Sequence, residues 1–327
     1  MYSSINAFLA PMAGYTDAVF RSICGSFGAA AVTSEMISAV ALTRNDRKTA
    51  ALASITENEP PVMLQIFGHD AAIMAEAADI LLSGNFTDCS YASKPAGIDI
   101  NMGCPVKKIV SSGDGSALML DPENAARITS AVKEVCAKYS VPLSVKFRLG
   151  WDRNNIIADS FASAIAKAGA DILTVHCRTR EQMYAPEASP DYCRTIRDRL
   201  DADGFGKVKL IGNGDVDSLE SAHRYLSLGC DYVAVGRAAL GNPWLFSELK
   251  NPDTFTPPSI DERISLIISY VKEVVRKEGE IRGIRESRSR AAYLLHGIRG
   301  GAKVRDALNH ADTLAEFEEE LLKIKNI

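Results

Sequence analysis

The chain has 327 residues, 46% of them hydrophobic and 24% charged, and 37 Lys and Arg residues against 41 Asp and Glu give a formal charge of −4. This composition is that of an ordinary globular protein and excludes a disordered or fibrous chain. The acidic balance also excludes a protein that coats nucleic acid or an anionic membrane with its whole surface, but it is compatible with a local basic patch.

The first residues lack a cationic stretch followed by an apolar one, and no window approaches 18 uninterrupted apolar residues. We therefore expect a cytoplasmic protein that does not span a membrane. Seven cysteines are an odd number and include no Cys-x-x-Cys pair, which fits neither a disulfide framework nor a zinc site. We expect no bound metal, and any cysteine that takes part in chemistry would act as a single thiol.

Short apolar runs rich in β-branched residues alternate with longer helical patterns over the first 250 residues. The eight runs, each predicted as a strand, are residues 7–10, 30–33, 62–67, 97–101, 143–147, 172–177, 208–212 and 232–236. The predicted helices between them include residues 70–82, 122–139, 156–168 and 218–228. Eight β/α repeats predict an α/β fold, a parallel (β/α)8 TIM barrel. A doubly wound open sheet is the alternative, but its glycine-rich turn is missing after the first strand.

The pattern changes after the last predicted strand. Residues 251–259 contain three prolines and indicate a linker, beyond which the pattern is helical only, at residues 260–277, 283–297 and 314–324. We therefore predict a catalytic barrel over residues 1–250 and an all-helical domain over 257–327. Residues 272–305 carry ten Lys or Arg against four Glu, and such a run is either a solvated helical surface or a site for an anionic partner.

Polar residues cluster where the predicted strands end, and in a β/α barrel the active site lies at the carboxyl ends of the strands. Period-two alternation places Asp99 with Asn101, Lys146 with Arg148, and His176 with Arg178 on common sides of their strands. Each residue alone is equally well explained as a satisfied buried polar group. Together they predict a planar polar ligand, because groups left unpaired would cost about 1–3 kcal/mol each.

Two further features at the strand ends suggest specific chemistry. Asn213-Gly-Asp215 and Gly236-Arg237 follow the last two strands, where such barrels commonly bind phosphate, although each motif alone is weak. Cys104 follows the fourth strand, between a glycine and a proline. Its reference pKa of about 8.5 leaves the thiol mostly protonated at neutral pH, so it can donate a proton.

Segments spread over nearly the whole chain carry a family resemblance. They are Leu9-Ala-Pro-Met-Ala-Gly-Tyr-Thr-Asp17, Gln65-Ile-Phe-Gly68, Asp99-Ile-Asn-Met-Gly-Cys-Pro-Val-Lys-Lys108, Gly115-Ser-Ala-Leu118, Val145-Lys-Phe-Arg148, His176-Cys-Arg-Thr-Arg180, Gly212-Asn-Gly-Asp215, Val235-Gly-Arg237 and Gly301-Ala-Lys-Val-Arg305. In this order they resemble the tRNA-dihydrouridine synthase family, flavoenzymes that reduce the C5–C6 double bond of particular uridines in tRNA.

The resemblance implies an FMN-binding barrel, a helical tRNA-binding domain and NADPH as the reductant, and we expect a monomer. By position, it implies that Cys104 gives a proton to C5 of the uracil after hydride reaches C6. The remaining implied roles are flavin-ring contact through the backbone for Pro11, Met12 and Ala13; bonds to the ring edge or ribityl chain for Gln65, Lys146 and His176; phosphate binding for Asn213, Gly214, Asp215, Gly236 and Arg237; uracil contact for Asn101 and Arg178; and RNA phosphate contact for Lys107 and Lys108.

The chain also departs from the family pattern. Residues 185–190 replace a usual Gly and Asp-Trp pair, residues 85–96 look like an insertion, Cys177 stands where a smaller residue is usual, and Arg288-Ser-Arg290 replaces a frequent Lys-His pair. Two alternatives stay open. One is an FMN-dependent barrel that acts on a free pyrimidine or enone, which has no need of a basic tail. The other is a non-catalytic RNA-binding protein, which has no need of the polar strand ends.

Overall fold

The structure is a computed structural model that describes residues 4–86 and 89–326. Within these ranges every strand pairing in the main sheet is parallel, and because β2 pairs with both β1 and β4 the sheet closes on itself. The predicted eight-stranded barrel is thereby confirmed. We call each of the eight positions around the barrel a stave, and the second stave consists of the two short strands β2 and β3. The strands are β1 Ala7–Leu9, β2 Ala31–Thr33, β3 Ile37–Ser38, β4 Val62–Phe67, β5 Gly97–Met102, β6 Leu143–Arg148, β7 Ile172–His176, β8 Lys209–Asn213 and β9 Tyr232–Val235.

Helices alternate with the staves and then continue alone to the end of the described chain. They are α1 Ala18–Ser26, α2 Ala39–Thr43, α3 Arg47–Ala51, α4 Ala71–Ser83, α5 Lys107–Val110, α6 Pro122–Lys138, α7 Ala158–Lys167, α8 Tyr192–Ala202, α9 Leu219–Ser227, α10 Arg237–Gly241, α11 Leu245–Lys250, α12 Ile260–Glu278, α13 Glu280–Leu294, α14 Gly301–Leu308 and α15 Leu314–Leu322, with 3-10 turns at Gly115–Leu120 and Lys323–Asn326. The longer helices begin at the side chains that the sequence indicates. Asp70 accepts the Ile73 N–H at 2.9 Å, and Asp121 accepts the Asn124 N–H at 3.0 Å.

The second strand position of the barrel is divided between β2, which the sequence predicts at residues 30–33, and β3, which it does not predict. β2 pairs with the start of β4, and the two-residue β3 pairs with its end. Between them the Ser34 hydroxyl accepts the Gln65 N–H at 3.0 Å and donates to the Glu35 carbonyl at 2.8 Å. A side chain thus replaces a backbone acceptor of the ladder, and the chain bends where the barrel opens.

The C-terminal helices α12 to α15 pack together as a unit, called here the C-terminal layer, which contacts the barrel where α12 meets α1 and α13 meets α10. The sequence pattern did not predict α14. The helix has only eight residues, and it begins at Gly300 and Gly301, two residues of low helix propensity. The apolar core is continuous from the staves into this layer and includes Ile267, Val271 and Phe317. In the described part of the chain, no helix is long and apolar enough to cross a membrane.

A buried ion pair fixes the connection between β1 and α1. Arg21 and Glu59 have side chains that are 1% and 0% exposed, and the Arg21 Nε donates to Glu59 Oε2 at 2.5 Å. Arg21 also donates to the carbonyls of Thr16 at 2.8 Å and Ser54 at 2.7 Å. The loop after β1 is therefore held by a hydrogen bond from the buried side chain of Arg21.

Replacing Glu59 with Gln leaves this guanidinium without a counter-charge. We expect the free energy of unfolding to fall by about 3 kcal/mol in chemical denaturation, because breaking a buried pair strands a charge. Glu286→Gln is the matched control, because its partner Arg282 is 69% exposed and such pairs contribute less than about 1 kcal/mol. Equal stability losses in the two variants would contradict this account of the loop.

Candidate active site

A cavity of about 1100 Å³ opens at the carboxyl ends of the staves. Its size slightly exceeds the range of about 300–1000 Å³ that is common for ligand sites, which leaves room for a cofactor and part of a second reactant. The sequence-predicted residues that line it are Pro11, Met12, Ala13, Gln65, Asn101, Cys104, Lys146, His176, Arg178, Asn213, Gly214, Asp215, Gly236 and Arg237. Lys107 and Lys108 are exposed on α5 and do not line it.

A chain of side-chain amides connects the barrel interior to Cys104. Gln65 Nε2 donates to Asp99 Oδ2 at 2.6 Å, and Gln65 Oε1 accepts from Asn101 Nδ2 at 2.8 Å. Asn101 Oδ1 accepts the N–H groups of Gly103 at 3.1 Å and Cys104 at 2.9 Å. The backbone of Cys104 is thus positioned by residues on two neighbouring staves, β4 and β5.

The thiol of Cys104 is half-buried beside two cations. Burial raises its pKa, against the opposing effects of the Val106 N–H and of the charges on Arg148 and Lys146. At neutral pH the group is therefore a thiol and not a thiolate. A protonated thiol at a cavity wall can serve as a general acid.

Two cations from β6, the buried Arg148 and the half-buried Lys146, dominate the electrostatics of the cavity. Burial, reinforced by Arg148, lowers the pKa of Lys146 to about 8, although Asp99 works in the opposite direction. Burial also lowers the pKa of Arg148 to about 10. Arg148 donates to the carbonyls of Gly103 at 2.8 Å and Thr179 at 2.9 Å. Lys146 is the cation whose charge is most easily lost.

His176 is neutral at physiological pH. Its ring is buried, and burial together with the charges of Arg148, Lys146, Arg178 and Arg237 holds its pKa well below the ordinary value. The His176 Nε2 lies 3.3 Å from Arg178 Nη1. Because the guanidinium can only donate, Nε2 is the unprotonated acceptor in this contact.

Asp215 binds two arginines through its side chain. Its Oδ2 accepts from Arg178 Nη2 and from the Ala188 N–H at 2.9 Å, and its Oδ1 accepts from Arg237 Nη2 at 3.0 Å. Burial alone would raise the pKa of Asp215, but the bonds from Arg178 and Ala188 outweigh it and the pKa is lowered. The carboxylate thus orients both cations, and a bound anion would have to approach the backbone here.

The glycines of the last two staves have different surroundings. A Cβ at Gly214, where φ is 122°, would lie 2.9 Å from the Ala188 Cβ, whereas a Cβ at Gly236 would find its nearest neighbour, the Ala10 Cβ, at 4.0 Å. Gly236 immediately precedes α10, in which the N–H groups of Arg237 and Ala238 have no acceptor within the helix, whereas the Ala239 N–H donates to the Gly236 carbonyl at 3.0 Å. The open space at Gly236 is therefore the part of the cavity where backbone donors are available to an anion.

Tyr225, a residue that the sequence does not identify as functional, supports this end of the cavity from α9. Its buried hydroxyl donates to the carbonyls of Gly214 at 2.7 Å and Asn213 at 3.2 Å. Gly212 makes room for the ring, since a Cβ there would lie 2.2 Å from Tyr225 Cδ1. A tyrosine on the apolar face of a predicted helix was the available signal, but it does not distinguish this role from ordinary packing.

The atypical loop after β7 forms part of the cavity wall. The Pro186 carbonyl accepts from Arg178 Nε at 2.8 Å, and Glu187, Ala188 and Pro190 line the cavity. Cys177 points away from it, with its Sγ buried 3.5 Å from the Cys193 Sγ. The departure at residues 185–190 therefore changes a wall of the site, whereas the departure at Cys177 affects only the packing behind it.

Three tyrosines, Tyr15, Tyr184 and Tyr293, also line the cavity and were not predicted. Tyr184 is 52% exposed, and Arg237 Cζ lies 5.0 Å from its ring centroid. Tyr293 comes from α13 and meets the Tyr15 ring edge-on at 5.8 Å. No local sequence pattern could have placed a residue of the C-terminal helices at the mouth of the barrel.

Comparisons with known proteins agree with this arrangement. A family model described as dihydrouridine synthase matches residues 8–327. A probable tRNA-dihydrouridine synthase of Rickettsia conorii is 33% identical over 312 residues, which are 94% of this chain and 89% of that protein. The tRNA-dihydrouridine synthase B of Pseudomonas putida is 35% identical over 313 residues, which are 93% of this chain and 86% of that protein.

Solved structures with similar folds are more distant in sequence. DHODH from Eimeria tenella in complex with ferulenol has a TM-score of 0.52 at 11% identity, covering 81% of this chain and 84% of its own. A variant of NCR from Zymomonas mobilis has a TM-score of 0.50 at 16% identity, covering 79% of this chain and 90% of its own. These two likenesses concern the barrel fold alone. On the family model and the relatives, the chain belongs to the dihydrouridine synthase family and is a flavin-dependent oxidoreductase that forms dihydrouridine in tRNA.

Proposed function

We propose that the enzyme uses FMN as its flavin and NADPH as its reductant, and that it reduces the uracil ring inside the cavity described above. The observation that carries this proposal is that one cavity holds an open backbone site at Gly236, a set of buried donors around Lys146, and the protonated thiol of Cys104. These are the three groups that a phosphorylated flavin and a reducible ring require.

The residues present fit FMN. The space in front of Gly236 would take the phosphate, held by the backbone at Asn213 to Asp215 and by Arg237. Pro11, Met12 and Ala13 would contact the flavin ring through their backbone. Gln65, Lys146 and His176 line the middle of the same cavity and would bond the ring edge or the ribityl chain. When bound, the reduced flavin supplies the hydride that adds to C6 of the uracil.

Cys104 would hold the proton that completes the reduction. As hydride adds to C6, electron density moves toward C5 and the C4 carbonyl, and C5 takes the proton from the thiol. The resulting thiolate lies beside Arg148 and Lys146, whose charges stabilise it until solvent returns a proton. One hydride and one proton together account for the two hydrogens gained by the ring.

Asn101 and Arg178 would orient the uracil. Asn101 Nδ2 already donates to Gln65, and its other contact is the weak acceptor Met36 Sδ at 3.7 Å, which a uracil carbonyl can displace. Arg178 is fixed by Pro186 and Asp215 on one side and by His176 on the other. Turning a uridine out of its stack to reach these groups costs a few kcal/mol.

The C-terminal layer, residues 257–327, would bind the tRNA, and the barrel, residues 1–250, would carry out the reduction. The structure corrects the basic cluster that the sequence suggested, because Arg290 is buried and Arg288 is bonded to the Ala311 carbonyl at 2.8 Å. Seven of the ten basic residues remain exposed, namely Lys272, Arg276, Lys277, Arg282, Arg285, Arg299 and Lys303. Lys107 and Lys108, exposed beside the Cys104 loop, would add contacts to RNA phosphates.

We also propose that the enzyme is a monomer, and a tRNA substrate implies a cytoplasmic location. The competing function, reduction of a free pyrimidine or enone in the same barrel, is less well supported because it gives no role to Tyr293. This exposed side chain extends the cavity from the C-terminal layer toward the surface where a polynucleotide would lie.

Replacing Cys104 with Ala removes the proposed acid and leaves the flavin contacts intact. We expect dihydrouridine formation to slow by about 100-fold or more, while NADPH reduces the bound flavin at the wild-type rate. Both rates can be measured in stopped-flow and quenched reactions, with Cys89→Ala as the control because Cys89 lies outside the cavity. Wild-type dihydrouridine formation in Cys104→Ala would exclude this thiol as the proton donor.

The charge on Lys146 gives a pH dependence with a defined sign. Its pKa of about 8 means that the cation is present below this pH and is lost as the pH rises through it. We expect the rate of flavin reduction at saturating NADPH to fall above about pH 8, because negative charge on the reduced ring loses its partner. Lys146→Arg should keep the rate level to higher pH. An identical pH profile in Lys146→Met and the wild type would contradict this role.

A further inference from the structure

Arg290 is a cation of α13 that is buried where the C-terminal layer meets the barrel. Its side chain is 2% exposed. Its Nη2 donates to the backbone carbonyl of Tyr15 and lies 3.4 Å from the Asp17 Oδ2. The residue therefore reaches across from the helical layer to the loop that follows β1.

Aromatic rings surround this guanidinium, and they offer few hydrogen-bond acceptors to replace the water that it loses on burial. Its Cζ lies 3.9 Å from the ring centroid of Phe20, 5.1 Å from that of Tyr15 and 5.5 Å from that of Tyr270. Within the described residues, Arg290 Nε and Nη1 have no hydrogen-bond partner. Cation–π contacts offset part of the free energy needed to desolvate the guanidinium, but an apolar side chain would pack here without any such penalty. Stability alone is thus a poor explanation for an arginine at this position.

The loop that Arg290 holds is the one that supplies Pro11, Met12 and Ala13 to the cavity. The loop folds on itself: the N–H groups of Tyr15 and Thr16 donate to the Met12 carbonyl at 2.9 and 3.0 Å, and the Met12 N–H donates to Thr16 Oγ1 at 3.1 Å. A displacement of the Tyr15 carbonyl would therefore also move Met12.

Further contacts hold the loop from the same side. The Tyr15 hydroxyl lies 3.2 Å from Ser289 Oγ, and the Tyr270 hydroxyl donates to Asp17 Oδ2 at 3.3 Å. Arg21 holds the opposite side of the loop through the Thr16 carbonyl. The loop is thus fixed between Arg21, which forms a buried ion pair with Glu59 at 2.5 Å, and Arg290, which lies 3.4 Å from the partly exposed carboxylate of Asp17.

We propose that Arg290 is a positioning residue for the flavin: by holding the Tyr15 carbonyl and ring, it sets the position of the Pro11 to Ala13 backbone against the isoalloxazine. This rests on the proposed FMN site. It also means that the C-terminal layer shapes the cofactor cavity in addition to any contact with RNA. Arg290 acts through Tyr15 and has no catalytic part of its own.

The test compares FMN binding in Arg290→Met, Arg290→Lys and Phe317→Leu, each prepared free of flavin and titrated with FMN by fluorescence. Met keeps an unbranched apolar stem, shorter than that of Arg, and removes the donors and the charge. We expect a tenfold rise in the dissociation constant for Arg290→Met and a threefold rise for Arg290→Lys, which keeps the charge and one donor nitrogen. Phe317 is buried on α15, so Phe317→Leu loosens the same layer without touching the loop, and its constant should stay within twofold of the wild type.

Hydrogen exchange gives a second readout that does not depend on flavin. In Arg290→Lys, amides of residues 12–16 should exchange faster than in the wild type, and this variant decides the question if Arg290→Met does not fold. Unchanged FMN affinity together with unchanged exchange in this loop would overturn the proposal, as would an equal loss of affinity in Phe317→Leu. A wild-type protein that binds no FMN would instead contradict the proposed function itself.

Discussion

The site depends on one electrostatic constraint: the positive charges gathered in its cavity must be compensated by negative charge. Lys146, Arg148 and Arg178 come from adjacent parts of the barrel. Asp99 acts on Lys146 and Asp215 pairs with Arg178, whereas the other carboxylates that line the cavity, Glu187 and Asp217, are exposed to solvent. Burial therefore lowers the pKa of Lys146 and of Arg148 and keeps His176 neutral. A cavity with excess buried cations and donors favours a ligand that is anionic at one end and gains negative charge at the other.

The same site depends on elements outside the barrel. Tyr293 extends the cavity, and Arg290 holds the loop after β1 opposite the buried pair of Arg21 and Glu59. The apolar core also runs without interruption from the staves into the C-terminal helices. The helical layer is therefore part of the catalytic structure, and a barrel cut off at the linker would expose core residues and lose one side of its cofactor loop.

The order of the staves and the residues at their ends could be predicted because both follow from local periodicity. Once the strands are parallel, alternation alone brings Lys146 and His176 to the same opening. Contacts between distant segments leave no such pattern. Arg290 therefore looked like one more surface cation, Tyr225 like a core residue, and the pairing of the Asp215 side chain with two arginines could not be distinguished from phosphate binding.

The central proposal is that this cavity reduces uridine within tRNA and that the RNA is needed to present the ring. The most direct test incubates the purified enzyme with FMN, NADPH and an unmodified tRNA transcript, and quantifies dihydrouridine in the nuclease digest by mass spectrometry, with free uridine as the parallel substrate. Dihydrouridine at defined positions of the tRNA, with no reduction of free uridine, is the predicted result. Equal reduction of free uridine, or no dihydrouridine in any tRNA, would contradict the account.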